Sequence, residues 1–365
     1  MLEKSMNKFS LIVQKIYFWI VYMLKMVYPE RIMQSATARK ELEELYIKKT
    51  AVFSQKVNYA IEYDLMIIVP IYNSAECIEM CLQSLLHQKT NYTYKIICVD
   101  DGSTDQTESI LQKYKKFSNV EIIRQKNAGV ASARNKALKN ICGQYVLFVD
   151  SDDLLPEYSI ELLMSTAIKN KADIVEGEYR EFNENINVDM HIFETEEKQK
   201  KINGYPWGKV INAEKLRNLC FPDGFQYEDT IITMLLMPTC RTNIKLSDVT
   251  YYYRRNPNGI TGTIQNKKQS LDTYYMTRYC LEEMIKRGHT CDLSVFLNHV
   301  RLNWMRIQSM PKNIQRAVFI EEAELLDKYF NKEERARENL RKMQKALQRR
   351  KYSAYVLLMN HWHIL

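Results

Sequence analysis

The sequence predicts an α/β fold with a mostly parallel sheet and helices on both of its faces. Short, continuous apolar runs alternate with segments of helical periodicity between about residues 65 and 150. Strands that are apolar along their whole length are typical of parallel sheets buried on both faces. In folds with this alternation, ligands bind at the carboxyl ends of the strands.

The first predicted strand is the apolar run Leu65–Asn73, which contains Pro70. A helix is predicted within 74–88, because its apolar residues recur at helical spacing and Ser74 can cap it. The chain continues with strands at 94–100, 120–125 and 145–150 and helices at 104–117 and 129–141. After Thr263 the periodicity is helical, which predicts a helical C-terminal region.

The N-terminal stretch Phe9–Pro29 is apolar and rich in aromatic residues. Lys15 and Lys25 leave too short an uncharged run for a membrane span, which needs about 20 residues. No small-residue cleavage site follows, so a signal peptide is not expected. Two interpretations remain: a helix lying in a membrane interface, or a helix buried against the body or against a second subunit in a homodimer.

The other end of the chain carries a basic tail. Residues 339–365 contain no Asp or Glu and six Lys or Arg, followed by an apolar end with one Trp. An anionic bilayer surface attracts such a tail, at about 1 kcal/mol per basic residue near the lipid; a solvated helix face is the alternative. No zinc finger, recognition helix or aromatic platform accompanies the charge, so nucleic acid is not an expected partner.

The composition of the chain indicates which class of protein it belongs to. The chain of 365 residues is 46% hydrophobic with 10 Gly and 8 Pro, which is typical of a globular protein. Its eight cysteines form no CxxC pair, which favours reduced thiols in the cytoplasm over disulfides or structural zinc.

Polar clusters follow three of the predicted strands. Tyr72 and Asn73 follow the first, the turn sequence DDGSTD follows the second, and Asp150, Asp152 and Asp153 follow the fourth. Each cluster alone can serve as a turn with a helix cap. Three carboxylates exceed what capping needs, and their expected additional role is to hold Mg²⁺ or Mn²⁺ beside phosphate oxygens.

Four stretches in this order and spacing carry a family resemblance: MIIVPIYN, IICVDDGSTDQT, NAGVASARNKAL and YVLFVDSDD. They resemble the nucleotide-binding half of a family 2 glycosyltransferase with the GT-A fold, of the bacterial capsular or exopolysaccharide type. The resemblance continues through PWGKVINAEKL and FPDGFQYEDTIITM and covers about Asp64–Thr263. It implies a Rossmann-like GT-A domain at 64–263, with an N-terminal helical segment at 1–63 for the membrane interface or oligomerisation and a helical region with the basic tail at 264–365.

The resemblance implies a nucleotide site formed by Pro70, Tyr72, Asn73, Asp100, Asp101, Arg134, Asp150 and Ser151. Pro70 and Tyr72 would lie beside the uracil of a UDP-sugar. Asp101 would accept the uracil N3–H and Asp100 would brace the loop. Arg134 would approach the nucleotide or diphosphate, and Asp150 would face the ribose.

The resemblance also implies a metal and a catalytic pair. Asp152 would hold Mn²⁺ or Mg²⁺, with Asp153 as the alternative ligand. Glu228 and Asp229 would form the pair, at a helix N-terminus whose dipole favours ionised carboxylates, with Asp229 as general base; simple helix capping is the alternative role. Weaker candidates for the acceptor side are Trp207, Lys209, Arg254 and Thr261, of which Trp207 can equally be a packing residue.

The chemistry agrees with these residue types. A cation at Asp152 would neutralise the departing diphosphate, and one carboxylate opposite it would deprotonate the acceptor hydroxyl, which inverts the anomeric centre. A dehalogenase-like phosphatase would need Thr or Val at the position of Leu154, and a calcium loop would need a bidentate carboxylate at the position of Leu111. A nicotinamide site would need the motif GxGxxG, which the sequence lacks.

The sequence thus predicts a cytoplasmic inverting glycosyltransferase, peripheral on the inner face of the cell membrane. The resemblance implies a lipid-linked glycan as the acceptor and bacterial surface polysaccharide synthesis as the setting. The alternative is a catalytically silent, membrane-bound assembly subunit that retains the fold.

Overall fold

The computed structural model describes residues 2–46, 50–185, 188–193, 201–255 and 268–362. The described residues fall into two compact units. The α/β unit lies within Thr50–Gly259, and the helical unit lies within Met1–Lys49 and Ile260–Leu365.

The described strands form one sheet in the α/β unit. They are β1 Asn58–Ile71, β2 Tyr94–Asp100, β3 Val120–Arg124, β4 Asn140–Phe148, β5 Ile174–Asn185, β6 Val188–Phe193, β7 Lys209–Asn212 and β8 Asn243–Arg254. Their order is β3-β2-β1-β4-β7-β5-β6, and β8 pairs with β5. Strands β1 to β4 are mutually parallel, β7 joins them to β5 through antiparallel pairs, and β8 runs parallel to β5.

The helices follow the same alternation and then dominate the end of the chain. They are α1 Leu2–Val27, α2 Ser35–Leu45, α3 Ile78–Leu86, α4 Thr107–Gln112, α5 Val130–Leu138, α6 Ser159–Asn170, α7 Asp272–Lys286, α8 Leu293–Ile307, α9 Lys312–Tyr329, α10 Arg341–Gln348 and α11 Tyr352–Asn360. Among the described residues, no helix is both long and apolar enough to cross a membrane.

The core of the α/β unit lies at β1 and its two neighbours. The residues from Leu65 to Val69 are at most 1% exposed, as a strand buried on both faces requires. Two details differ from expectation. Strand β1 begins at Asn58 rather than Leu65, and Ser74 does not cap α3, because its hydroxyl lies 2.8 Å from that of Ser151 and the cap position falls on Cys77.

The register of the parallel strands places the polar clusters at one edge of the sheet. Ile71 at the end of β1 pairs with Asp100 at the end of β2, and β4 ends at Phe148 on the other side of β1. Because parallel strands share a carboxyl edge, the loops that follow these strands are neighbours.

In the helical unit, α2 packs against α9 and α1 packs against α11. Its interior contains a polar network: the Thr273 hydroxyl donates to Asn303 Oδ1 (2.7 Å), and Asn303 Nδ2 donates to Glu322 Oε1 (2.9 Å). Glu322 is 1% exposed, and burial raises its pKa to about 8.

Glu322 predicts a pH-dependent stability of the protein. Its folded-state pKa of about 8 lies above the ordinary value of 4.5, so the stabilising contribution of the bound proton is complete below the ordinary pKa and lost as pH rises to about 8. We expect Glu322→Gln to match the wild type at about pH 4 and to exceed its unfolding free energy by up to about 5 kcal/mol above pH 8, because the pKa rises from 4.5 to about 8 and each pH unit contributes about 1.4 kcal/mol. Urea unfolding across this range measures the difference.

The control is Glu338→Gln, which changes an exposed glutamate of the same unit and should follow the wild-type pH profile. Parallel profiles for Glu322→Gln and the wild type would contradict the assignment of a buried, proton-binding glutamate.

Candidate active site

Two loops at the carboxyl edge of the sheet are joined by hydrogen bonds. The Asn73 N–H donates to Ser103 Oγ (2.9 Å), and the Thr104 N–H donates to Asn73 Oδ1 (2.8 Å). Asn73 has a φ of 47°, a left-handed conformation that Asn tolerates better than most residues. Gly102 has a φ of 74°, and a Cβ there would lie 2.8 Å from the backbone nitrogen of Asn127, so this turn requires glycine.

The two aspartates at the end of β2 brace this edge. Asp101 is 3% exposed and accepts bonds from the N–H groups of Ala128 (2.9 Å) and Gly129 (2.7 Å) at the start of α5. Asp100 is 1% exposed and accepts from the Ser103 N–H (2.9 Å). The structure therefore gives both carboxylates a bracing role, and a contact of Asp101 with uracil stays a prediction.

The other nucleotide candidates lie on the same edge. Pro70 is buried in β1, where it pairs with Val99, whereas Tyr72 beyond the strand end is about half exposed. Ser151 is half-buried, and its hydroxyl contacts that of Ser74, which ties the loop after β4 to the loop after β1.

Strand β8 holds the loop after β4 in place. The Asp150 N–H donates to Tyr251 Oη (3.2 Å), and the Tyr251 hydroxyl donates to Asp153 Oδ2 (2.7 Å). Arg254 donates its N–H to Asp153 Oδ1 (2.8 Å) and its Nε to the Asp152 carbonyl (2.7 Å). Arg254, expected near the acceptor, thus braces the aspartate loop.

The three aspartates of this loop lie in different environments. Asp153 is fully buried with both oxygens hydrogen-bonded, and burial, followed by the charges of Asp150 and Asp152, raises its pKa well above the ordinary value. Asp153 is therefore held in place by Tyr251 and Arg254, and its role as an alternative metal ligand stays a prediction. Asp150 and Asp152 are half-buried and reach the surface.

The aspartate loop supplies only part of a metal shell. Among the described residues, no group of three or more His, Cys, Asp or Glu side chains is placed to hold a metal ion. Magnesium-type ions in nucleotide sites are usually bound by one or two carboxylates with waters and phosphate oxygens. The half-buried carboxylate of Asp152 fits that donor set.

Arg134 joins the aspartate loop to the second acidic segment. Its Nη1 donates to Glu228 Oε1 (2.7 Å) and its Nη2 donates to Asp150 Oδ1 (3.1 Å). The arginine is 4% exposed and lies over the ring of Phe221. Asn135, the next residue, exchanges two hydrogen bonds with the Phe221 backbone (2.6 and 2.8 Å), so α5 positions the segment that leads to Glu228.

The two members of the acidic pair differ. Glu228 is 9% exposed, and burial raises its pKa against the opposing effect of Arg134; this shift is opposite to the one expected from a helix dipole. Asp229 is half-buried, and its carbonyl accepts the Ile232 N–H (2.9 Å) at the start of a short π-helical turn, Ile232–Leu236. The preceding Tyr227 has a φ of 59°, a strained conformation for a bulky residue of the kind found at functional sites.

Trp207 lies in an aromatic cluster beside the aspartate loop. Its ring stacks on those of Tyr205 (4.8 Å), Tyr251 (4.6 Å) and Tyr253 (5.2 Å). Trp207 is 7% exposed and serves packing, whereas Tyr205 is 44% exposed. Burial, followed by the charge of Asp153, raises the pKa of Tyr253 to about 12.

The sequence interpretation missed the tyrosines of β8. Tyr251 and Tyr253 are two positions apart in a strand and therefore face the same side of the sheet, towards Trp207. Alternate residues of a strand face the same side, so the first and third tyrosines of the sequence TYYYR could have been predicted to lie together.

Lys209 does not line an open acceptor surface, which corrects the expectation. It is fully buried, and its Nζ donates to Glu176 Oε1 (2.6 Å) and to the Asn203 carbonyl (2.8 Å). Burial lowers its pKa, although Glu176 opposes the shift. Thr261, the remaining acceptor candidate, lies outside the described residues.

One protein-family model matches the α/β unit over most of its length. Residues 66–226 match the sequence model of glycosyl transferase family 2. The chain is similar to family 2 glycosyltransferases over these residues. This confirms the resemblance found in the sequence, and the match ends just before Glu228 and Asp229.

Curated relatives of this chain come from bacteria. The chain is 31% identical over 209 residues to "Glycosyltransferase GlyA" of Streptococcus pneumoniae serotype 4 (52% of this chain, 30% of the relative). It is 40% identical over 121 residues to the poly(ribitol-phosphate) beta-glucosyltransferase of Bacillus spizizenii (32% and 19%). It is 31% identical over 214 residues to the uncharacterized glycosyltransferase EpsJ of Bacillus subtilis (53% and 62%). The chain therefore spans between about a fifth and three fifths of the length of these relatives.

A solved structure shares the fold. The crystal structure of S. aureus TarS 1–349 in complex with UDP-GlcNAc superposes with a TM-score of 0.64 at 21% identity, covering 82% of this chain and 91% of that chain. At this identity the likeness concerns the fold, and it confirms the predicted GT-A architecture.

Proposed function

We propose that the protein is an inverting glycosyltransferase that moves a sugar from a nucleotide donor, a UDP-sugar, to a hydroxyl of a glycan acceptor. The observation that carries the proposal is the bridge formed by Arg134. It holds Asp150 from the loop after β4 and Glu228 from the acidic pair on one buried guanidinium. This bridge supports the proposal because it links the loop that would bind the donor to the segment that contains the proposed base, Asp229.

In this proposal Asp229 accepts the proton of the acceptor hydroxyl as the new glycosidic bond forms. A sugar hydroxyl is a weak nucleophile at neutral pH, and a positioned carboxylate acts as its general base. Glu228 is bound to Arg134 and mostly buried, so it positions the segment and does not exchange protons with substrate. A single base and one displacement invert the anomeric carbon, whereas retention would need a carboxylate nucleophile.

Asp152 is the residue that would hold Mn²⁺ or Mg²⁺ together with the donor diphosphate, and Asp150 would face the ribose. When bound, such an ion neutralises negative charge on the departing diphosphate. Arg134, which lies in α5, contributes a fixed positive charge beside this loop. Tyr251 and Arg254 hold the loop in the same conformation before the donor binds.

The setting is part of the proposal. We place the enzyme in the cytoplasm at the inner face of a bacterial cell membrane, in surface polysaccharide or teichoic acid synthesis, with a lipid-linked acceptor. Support comes from the relative named as a poly(ribitol-phosphate) beta-glucosyltransferase and from the fold shared with TarS, whose structures contain UDP-GlcNAc and UDP.

Replacement of Asp152 by Asn tests the metal and donor assignment. We expect the wild type to bind UDP and one UDP-sugar with Mn²⁺ and to lose at least about tenfold in affinity with a chelator, because the ion links Asp152 to the diphosphate. Asp152→Asn should bind weakly in both conditions. Isothermal titration calorimetry with a panel of UDP-sugars measures these affinities.

The matched control is Asp248→Asn, which changes an exposed aspartate of the same unit and should behave as the wild type. If no nucleotide binds to the wild type under any condition, the proposal fails, and a silent subunit that keeps the fold becomes the better account.

A further inference from the structure

Helix α1 exposes a continuous apolar face. Eight large side chains between residues 13 and 28 recur at helical spacing on this face, and each is 49% to 76% exposed: Val13, Ile16, Tyr17, Ile20, Met23, Leu24, Val27 and Tyr28. We call these eight residues the α1 face. Soluble monomers rarely expose contiguous apolar patches larger than a few hundred Å², so this face needs an explanation.

The opposite side of α1 is already used for packing. Phe18, Tyr22 and Met26, which are four positions apart, are at most 7% exposed. The Tyr22 hydroxyl donates to the Lys342 carbonyl (3.2 Å), and Phe18 lies 5.7 Å from the ring of His361. The helix is therefore held to the helical unit by one side and presents the α1 face on the other.

The helical unit that carries this face is strongly basic. Lys15 and Lys25 belong to α1, and the Lys342 ammonium lies 3.3 Å from the Trp19 ring centroid. No Asp or Glu occurs between Glu3 and Glu30. The sequence within the bounds of the helical unit contains 28 Lys or Arg and 16 Asp or Glu, a formal net charge of +12, whereas the α/β unit contains 24 and 28, a net charge of −4.

We propose that the α1 face is a docking surface for an anionic lipid bilayer, on which α1 lies parallel to the membrane plane. Apolar side chains would enter the acyl boundary, and Tyr17 and Tyr28 would keep their hydroxyls at the headgroup level. The neighbouring Lys and Arg side chains would contact anionic headgroups. This inference names the surface for the peripheral location proposed above.

A second copy of the chain is the less suitable occupant. Pairing two α1 faces would bring two units of +12 together with no acidic residues of α1 between Glu3 and Glu30 to offset the repulsion. An anionic bilayer would both bury the apolar side chains of the α1 face and attract the positive charge of the helical unit.

The test is co-sedimentation of the full chain with vesicles of phosphatidylcholine, with and without phosphatidylglycerol, in the absence of donor and acceptor. We expect binding that needs phosphatidylglycerol and weakens at high ionic strength. The triple variant Ile16→Gln/Ile20→Gln/Leu24→Gln should lose at least about tenfold of the partition coefficient. Lys345→Gln/Arg349→Gln, which removes two exposed positive charges of the basic tail in the same unit, should lose about fivefold for each residue.

The matched control is Ile285→Gln/Met305→Gln, which alters exposed apolar residues of the same unit outside α1 and should bind as the wild type. Binding of the triple variant at the wild-type level, or no vesicle binding by the wild type, would overturn the inference. Sedimentation velocity without lipid adds a further outcome: a dimer that the triple variant dissociates, with no vesicle binding, would assign the face to a second copy. Because no sugar transfer is measured, each of these failures would leave the proposed transferase activity standing.

Discussion

Asp229→Asn is expected to lower kcat by about 10²- to 10⁴-fold, the usual contribution of a general base. The substitution keeps the size of the side chain and removes its ability to take a proton from the acceptor hydroxyl. Donor binding should change little, because the hydrogen bonds from Arg134 to Asp150 and Glu228 stay intact in this variant. Initial rates of UDP release and calorimetric donor affinity, measured on the same preparation, separate the two effects.

Asp248→Asn serves as the control and should retain wild-type kcat. A kcat for Asp229→Asn within about threefold of the wild type would contradict the role of Asp229, since general-base catalysis contributes far more than this. Equal losses of donor affinity and kcat would instead indicate that Asp229 helps to bind the nucleotide.

Arg134→Ala is expected to reduce both stability and activity. Removing one partner of a buried ion pair typically costs about 3–5 kcal/mol, because the other charge stays buried without compensation. Here the partner left behind is Glu228, which is 9% exposed, and the connection to Asp150 is lost as well. Thermal unfolding and UDP-release kinetics measure the two consequences.

Two further variants separate the buried pair from a general loss of an arginine. Arg217→Ala removes an exposed arginine whose pair with Glu214 spans 3.6 Å, and it should cost at most about 1 kcal/mol. Arg134→Met/Glu228→Gln removes both charges and should recover part of the stability but not the activity. A stable, fully active Arg134→Ala protein would contradict the bridging role.

The parallel half of the sheet could be predicted from sequence because burial on both faces leaves a local signature. The run from Leu65 to Val69 is apolar at every position, and the polar loops start where the strands stop. The candidate nucleotide residues followed from these loop positions and from the family resemblance. The antiparallel half, with its short strand β7 and paired β5 and β6, has no comparable local pattern.

Pairs of residues that are far apart in the sequence explain why parts of the site could not be predicted. Lys209 was expected on the acceptor side, but it is buried together with Glu176, its hydrogen-bond partner 33 positions away. Glu228 likewise accepts a hydrogen bond from Arg134, which lies 94 positions away in the sequence. Such pairings depend on the tertiary fold, so helix-end rules predicted the wrong direction for the Glu228 pKa.

The function of α1 was left open for a different reason. The stretch is apolar around most of its circumference, so periodicity alone does not tell which side packs and which side is exposed. The structure separates the buried side at Phe18, Tyr22 and Met26 from the exposed α1 face.

Donor turnover shows whether the site at the acidic edge of the sheet catalyses sugar transfer. The measurement is UDP release from a panel of UDP-sugars by the full chain with Mn²⁺ and bacterial membranes that carry lipid-linked glycans. We expect one donor to release UDP at a rate that depends on the membranes and that falls to background in Asp229→Asn. Nucleotide binding without release from any donor above that background would contradict the account and identify the chain as a silent subunit with a glycosyltransferase fold.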